Sequence, residues 1–173
     1  ILSRFTLKGN EFKVRTVCHP AQDMISADID SHLHTGIKFH FPYPTGIHTD
    51  NACDWDANDK HSTEVLKQDT QSAVLKRTLD STVYYVELKW EGKALLKEKE
   101  KNYFVLLPQE DAFSFSCAFT ANEPDQLTVL PDFFEVESLA KNHWVNFWEE
   151  GAAVDFSHCT DPRAKELERR VVL

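Results

Sequence analysis

Residues 113–119 read Phe113-Ser114-Phe115-Ser116-Cys117-Ala118-Phe119, apolar at every odd position with small residues between. Successive side chains of a strand point to opposite faces, so this spacing gives one dry face and one wetter face. The same period recurs in both directions along the chain. Upstream, Phe12, Val14, Thr16 and Cys18 alternate with Lys13, Arg15 and Val17, and Ile25, Ala27 and Ile29 with Ser26, Asp28 and Asp30. Ile37, Phe39, Phe41 and Tyr43 alternate with Lys38, His40 and Pro42; Tyr84, Val86, Leu88 and Trp90 alternate with Tyr85, Glu87 and Lys89. Breaks at Lys8-Gly9-Asn10, Pro42-Tyr43-Pro44, Glu91-Gly92 and Pro108 punctuate these runs as antiparallel strands. Two half-dry sheets must cover each other, so the expected fold is mainly β, an antiparallel β-sandwich.

The period changes near Ser138. Leu139, His143, Trp144, Phe147 and Trp148 recur at helical spacing, with Ser138 as the expected N-cap and Gly151 as the residue just past the C-terminus. An extended stretch is expected over 152–159, and a second helix opening at Thr160-Asp161-Pro162. The domain reading is therefore a β-sandwich over residues 1–137 and a C-terminal helical linker over 138–173. Leu167, Val171 and Leu173 cluster at the end of the second helix, and they are expected to lie against a neighbour outside this sequence.

Composition narrows the partners. Among 173 residues, 19 basic and 28 acidic side chains give a formal charge of −9. That balance disfavours nucleic acid and anionic lipid surfaces, which reward Lys and Arg. No apolar run reaches the roughly 20 residues of a membrane-spanning helix. Four scattered cysteines, Cys18, Cys53, Cys117 and Cys159, show no zinc spacing. Their even number allows disulfides, while Cys117 in its apolar run also suits a buried free thiol. No Gly-rich phosphate loop or nucleophile motif is present, so no cofactor is implied.

One long polar stretch, residues 44–63, interrupts the strands, and loops of that length in compact domains are often functional. Its Asp54-Trp55-Asp56-Ala57-Asn58-Asp59 segment imitates the opening of a calcium loop. Asp59 stands where that loop needs Gly and Val65 where it needs Glu, so no EF-hand and no metal ligand set is assigned. Trp55, flanked by Asp54, Asp56, His48 and His61, has the composition of a sugar subsite. An aromatic ring meets the apolar face of a pyranose while carboxylates and imidazoles meet its hydroxyls. The bland reading of the same loop packs Trp55 into the edge of the core. His32 and His34 would share a strand face, for which a structural role is the simpler account.

The tail, from Trp144-Val-Asn-Phe-Trp148 through Gly-Ala-Ala-Val-Asp155 to Asp161-Pro-Arg-Ala and Glu166-Leu-Glu-Arg-Arg170, resembles a particular junction. It is similar to the linker of six-hairpin glycosidases, where an N-terminal β-sandwich hands over to an (α/α)6 barrel. Val14-Arg-Thr-Val-Cys-His19 and Phe39-His-Phe-Pro-Tyr-Pro44 resemble the sandwich of the same group. The resemblance implies a mutarotase-like sandwich, with 138–173 as the linker and start of the barrel. It also implies a carbohydrate-active parent, hydrolase or phosphorylase, that is secreted or held in the cell envelope. The general acid and base would come from the barrel, so no catalytic residue is assigned here. The implied partners are the C-terminal (α/α)6 catalytic barrel of the same polypeptide and a carbohydrate. A stand-alone sugar-binding module and a structural or partner-docking domain are the alternatives.

Overall fold

The computed structural model describes residues 1–32, 35–49, 51–124, 129–151 and 154–172. In chain order the strands are β1 (Leu2–Leu7), β2 (Asn10–Cys18), β3 (Met24–Asp30), β4 (Ile37–His40), β5 (Tyr43–Pro44) and β6 (Cys53–Asp54). Then follow β7 (His61–Gln68), β8 (Ser72–Leu79), β9 (Thr82–Glu91), β10 (Ala94–Glu100), β11 (Tyr103–Pro108) and β12 (Ala112–Thr120). Two helices close the chain, α1 (Phe133–Glu150) and α2 (Ala164–Val172). A seven-stranded sheet runs β1-β2-β3-β12-β9-β8-β7, a three-stranded sheet runs β10-β11-β4, and β5 pairs with β6; every pairing is antiparallel.

The alternation decides what lies between the two larger sheets. Register aligns Ala73 with Leu88 and Leu88 with Cys117, and likewise Leu75 with Val86 and Trp90 with Phe115. These rows meet Leu96, Phe104 and Leu106 of the smaller sheet, with Ile37 and Phe39 beside them. Burying each such aliphatic or aromatic side chain stabilises the fold by about 1.5–3 kcal/mol. Cys117 lies inside this core, and burial pushes its thiol up to about 12, which makes it inert. All four cysteines are free thiols.

The wetter face of β3 and β12 is not wet. Ser26 and Ser116 are buried there, their hydroxyl oxygens 2.6 Å apart, and Ser116 donates onward to the Pro131 carbonyl at 2.9 Å. With Ser116 so committed, the Ser26 hydroxyl donates to Ser116. Met24 and Ala118 pack beside them against Leu130 and Val136. The cover is α1, which makes a third layer through Phe133, Val136 and Ala140. Arg15 fastens it, donating to Asp28 at 2.9 Å and to Glu137 at 3.2 Å while its guanidinium lies 4.6 Å from the Phe133 ring.

Several elements begin elsewhere than expected. Helix α1 is capped by Asp132 rather than Ser138: the Asp132 carboxylate accepts from the Glu135 amide, and the Glu135 carboxylate accepts from the Asp132 amide. The boundary drawn between 137 and 138 therefore falls inside this helix. Gly151 closes it in extended rather than left-handed conformation, and a Cβ there would collide with the Phe147 carbonyl. The strand expected over 37–43 stops at His40, because Pro42 has no amide to give and the Phe41 amide goes to the Asn102 carbonyl at 3.1 Å. His32 lies in an exposed bend, 3.0 Å from the Asp111 carboxylate, and not on a strand; its expected companion His34 lies outside the described residues, as does Leu173. No helix among the described residues is long and apolar enough to cross a membrane.

Candidate functional site

The described residues of the polar stretch 44–63 include strand β6 and the ends of β5 and β7. Its first half forms a short ribbon, Tyr43 opposite Asp54 and Pro44 opposite Cys53. The turn between them is knitted by Thr45, which donates to the Asn51 carbonyl at 2.6 Å and receives the Ile47 amide at 3.2 Å. His48 sits exposed in the middle of this turn, away from the Asp54 end of the ribbon. Asp54 then folds the chain back, its Oδ1 accepting the amides of Asp56 at 3.0 Å and Ala57 at 3.2 Å. Ala57 is buried beneath.

That fold-back throws Trp55 outward. Its side chain is 51% exposed, so it does not pin the loop into the core edge. Its ring meets His40 at 4.8 Å between centroids with the planes tilted by 51°, and His40 in turn lies 5.1 Å from Tyr103 at a similar tilt. His40 and Tyr103 are direct partners across β4 and β11, on the side of the smaller sheet that faces away from the core. Lys38, two residues back on β4, holds its ammonium 6.0 Å from the Tyr103 ring. Trp55, His40, Tyr103 and Lys38 thus make one continuous aromatic shelf with a cation at its side. Asp56 is exposed next to Trp55, and Asp54 is engaged with the backbone amides it caps.

His61 parts company with the other four candidates. It is buried, and its Nδ1 lies 2.9 Å from Nη1 of Arg77, a residue only 1% exposed. Arginine can only donate, so Nδ1 must be the unprotonated nitrogen of a neutral ring. Burial and then the Arg77 charge, with smaller contributions from Lys101 and His40, hold the imidazole below its usual range. The same guanidinium reaches Thr63 Oγ1 at 2.6 Å and Asn102 Oδ1 at 3.2 Å, and stacks 4.8 Å from the Phe41 ring. Asn102, in left-handed conformation and fully buried, turns its amide nitrogen to the Asn58 carbonyl at 3.4 Å. His61 is therefore a post behind the Trp55 loop, not a ligand-facing group. Tyr43 completes the flank, its hydroxyl donating to Asp80 at 2.9 Å and raised above its usual range by that bond.

The shelf partners His40, Tyr103 and Lys38 depend on which strands pair, and no local sequence pattern announces them. Among the described residues no group of three or more His, Cys, Asp or Glu side chains is placed to hold a metal ion. Neither a protein-family model nor a curated protein matches the chain.

Proposed function

We propose that this chain is a non-catalytic β-sandwich of a carbohydrate-active enzyme, seated on a helical catalytic barrel and lending the Trp55 shelf to the substrate rim. The observation that carries the docking half is a single stripe on α1. Phe133, Val136, Ala140, Trp144 and Phe147 follow one another at steps of three and four residues, so they share one face of the helix. The first three are buried on the sheet, while Trp144 is 54% exposed, Phe147 50%, and Trp148 beside them 44%. The rings stand edge to face, Trp144–Phe147 at 5.5 Å and Phe147–Trp148 at 5.1 Å. An apolar stripe that leaves its sheet and continues bare is what an interface looks like before its partner arrives. On α2, Leu167 and Val171 are half-exposed as well. The likeness of the tail to the six-hairpin glycosidase linker supplies the kind of partner.

The coding sequence downstream of Leu173 tests the docking half. Several hundred residues in alternating helical hairpins are expected, and a stop codon directly after Leu173 would overturn it. In a polypeptide carrying both units, replacing Trp144, Phe147 and Trp148 together by Ser is expected to separate the units under limited proteolysis. The unfolding free energy of the sandwich should stay within about 1 kcal/mol of wild type, because half-exposed side chains contribute little inside it. The shelf supports the sugar half. Trp55→Ala is expected to weaken saccharide binding at least about tenfold, the worth of roughly 1.4 kcal/mol of ring contact, in a protein that folds normally. Titration calorimetry on the chain alone separates the stand-alone module from the rim: binding without the barrel favours the module.

A further inference from the structure

The geometry points to His61 as a pH-sensitive latch that holds the Trp55 loop closed at neutral pH and releases it in acid. It rests on the proposed reading of the shelf for its purpose but not for its physics. The guanidinium of Arg77 has no carboxylate partner among the described residues; the acceptors within its reach are the Tyr84 hydroxyl for Nε, the Pro42 carbonyl for Nη2, and His61 Nδ1, Thr63 Oγ1, Asn102 Oδ1 and the Ser62 carbonyl, which share the two hydrogens of Nη1. Of those acceptors, the imidazole is the one whose ordinary pKa, 6.5, lies near neutrality. A proton on His61 Nδ1 would set two donors, both cationic, 2.9 Å apart in a buried site.

The described surroundings of the ring compensate such a charge poorly. From β8 comes Arg77, from the β10–β11 turn Lys101, and from β4 His40, all of which oppose a second cation. Tyr43 of β5 lies 5.9 Å away ring to ring, with the Lys60 ammonium 5.3 Å from the centre of the Tyr43 ring. Asp59 is the anion that favours the charged form, and it is the smallest of these influences. On the opposite edge, His61 Nε2 faces the Asn102 amide nitrogen at 3.4 Å, donor against donor in the neutral tautomer, so that side offers no acceptor either.

The mechanical consequence follows from what the cluster carries. Asn102 receives Arg77 and the Thr63 hydroxyl on its oxygen and spends its nitrogen on Asn58, so the Arg77–His61 bond lies directly behind the segment that presents Trp55. Protonation has two exits: the imidazole swings out, or the guanidinium does. Either one removes the support of residues 53–60, while the main core cluster contains neither His61 nor Arg77. The sign is fixed by the neutral ring being the folded form. Stability and loop closure are independent of His61 above pH 6.5, its ordinary value. They decline as pH falls below 6.5 and level off once pH passes the depressed folded-state pKa.

The test is a pH series from 7.5 to 5.0 by NMR on the uniformly labelled chain. The Trp55 indole signal and the amides of Ala57 and Asn58 are expected to shift in one transition centred below 6.5, with amide protection of that segment falling about tenfold across it. In His61→Asn, whose side-chain oxygen still accepts from Arg77 and cannot titrate, the transition should vanish. In His40→Gln it should persist, which separates the latch from the imidazole that touches Trp55. Direct titration of the His61 ring carbons in the wild-type chain decides the matter even if the Asn variant does not fold. A ring pKa at or above 6.5, a loop indifferent to pH, or a transition that disappears with His40 instead would each overturn the latch. Saccharide binding at pH 7.5 is a separate measurement, so the shelf and the latch fail independently.

Discussion

Replacing Arg77 by Ala is expected to destabilise the sandwich by roughly 3–5 kcal/mol, read as a lower urea midpoint at unchanged m-value. The side chain is 1% exposed and touches Phe41 and Tyr84 with its flat face while donating along its edge. Truncation leaves a cavity and strips Thr63, His61 and Asn102 of a shared donor. Each buried acceptor left unmade costs about 1–3 kcal/mol unless water enters. A loss on that scale is a large share of the roughly 5–15 kcal/mol that typically separates folded from unfolded chains. Arg77→Met should cost much less, about 1–2 kcal/mol, because its stem fills the same space and the desolvation of a buried cation is relieved at the same time. Arg77→Lys should resemble Ala more than Met: an ammonium cannot match the planar fork that reaches acceptors on four segments, and it still has to be buried charged. If Ala and Met proved equally costly, packing would be irrelevant and hydrogen bonding alone would account for the loss. If Ala cost less than about 1 kcal/mol, the cluster would not be holding the loop at all.

Arg77 also shows where a sequence is and is not transparent. In Ala73-Val74-Leu75-Lys76-Arg77-Thr78-Leu79 it stands in phase with Ala73, Leu75 and Leu79, which places a charged side chain on the inner face. That signal is local, yet the partners that make the burial tolerable come from four other segments, residues 41–42, 61–63, Tyr84 and Asn102. Strand content is legible for the same local reason. Period-two spacing at 113–119 and 84–90 marks β12 and β9, and the positive φ of Lys8 and Gly9 suits the two-residue turn they form between Leu7 and Asn10. The dry and wet faces are only half legible. Ser26 and Ser116 look like solvent positions until α1, more than a dozen residues downstream of Ser116, covers them. The helix start is ambiguous although Asp132-Phe-Phe-Glu135 carries a capping box, because the apolar positions that follow Ser138 also fit a later start. Of the sugar-subsite candidates, Trp55 and Asp56 reach the surface together, His48 stands in the turn at the other end of the ribbon, and His61 turns inward. Chain proximity cannot separate them, since one fold-back at Asp54 reverses which side of the loop each residue meets.

Trp90 gives the other large effect, and its two variants should diverge. It is 1% exposed at the centre of the core, paired with Phe115 across β12, and its backbone amide donates to the Gln71 carbonyl at 2.9 Å. Trp90→Ala removes the largest fully buried side chain among the described residues and should cost about 3–5 kcal/mol, the usual range for emptying an aromatic site. Trp90→Phe removes volume too, but it also removes an indole N–H that is buried without an acceptor among the described residues. Buried indoles ordinarily find one, and an unmade donor of this kind costs about 1–3 kcal/mol. The relief offsets most of the small cavity left by the five-membered ring, so Trp90→Phe is expected within about 1 kcal/mol of wild type, measured by the same urea transitions. A loss near that of Ala would overturn this account of the unpartnered indole N–H, because the relief would then not offset the cavity. Both variants leave the Trp55 shelf and the α1 stripe untouched, so saccharide titration and unit association should be unchanged wherever the protein is folded. That separation is what a core residue, as opposed to a functional one, requires.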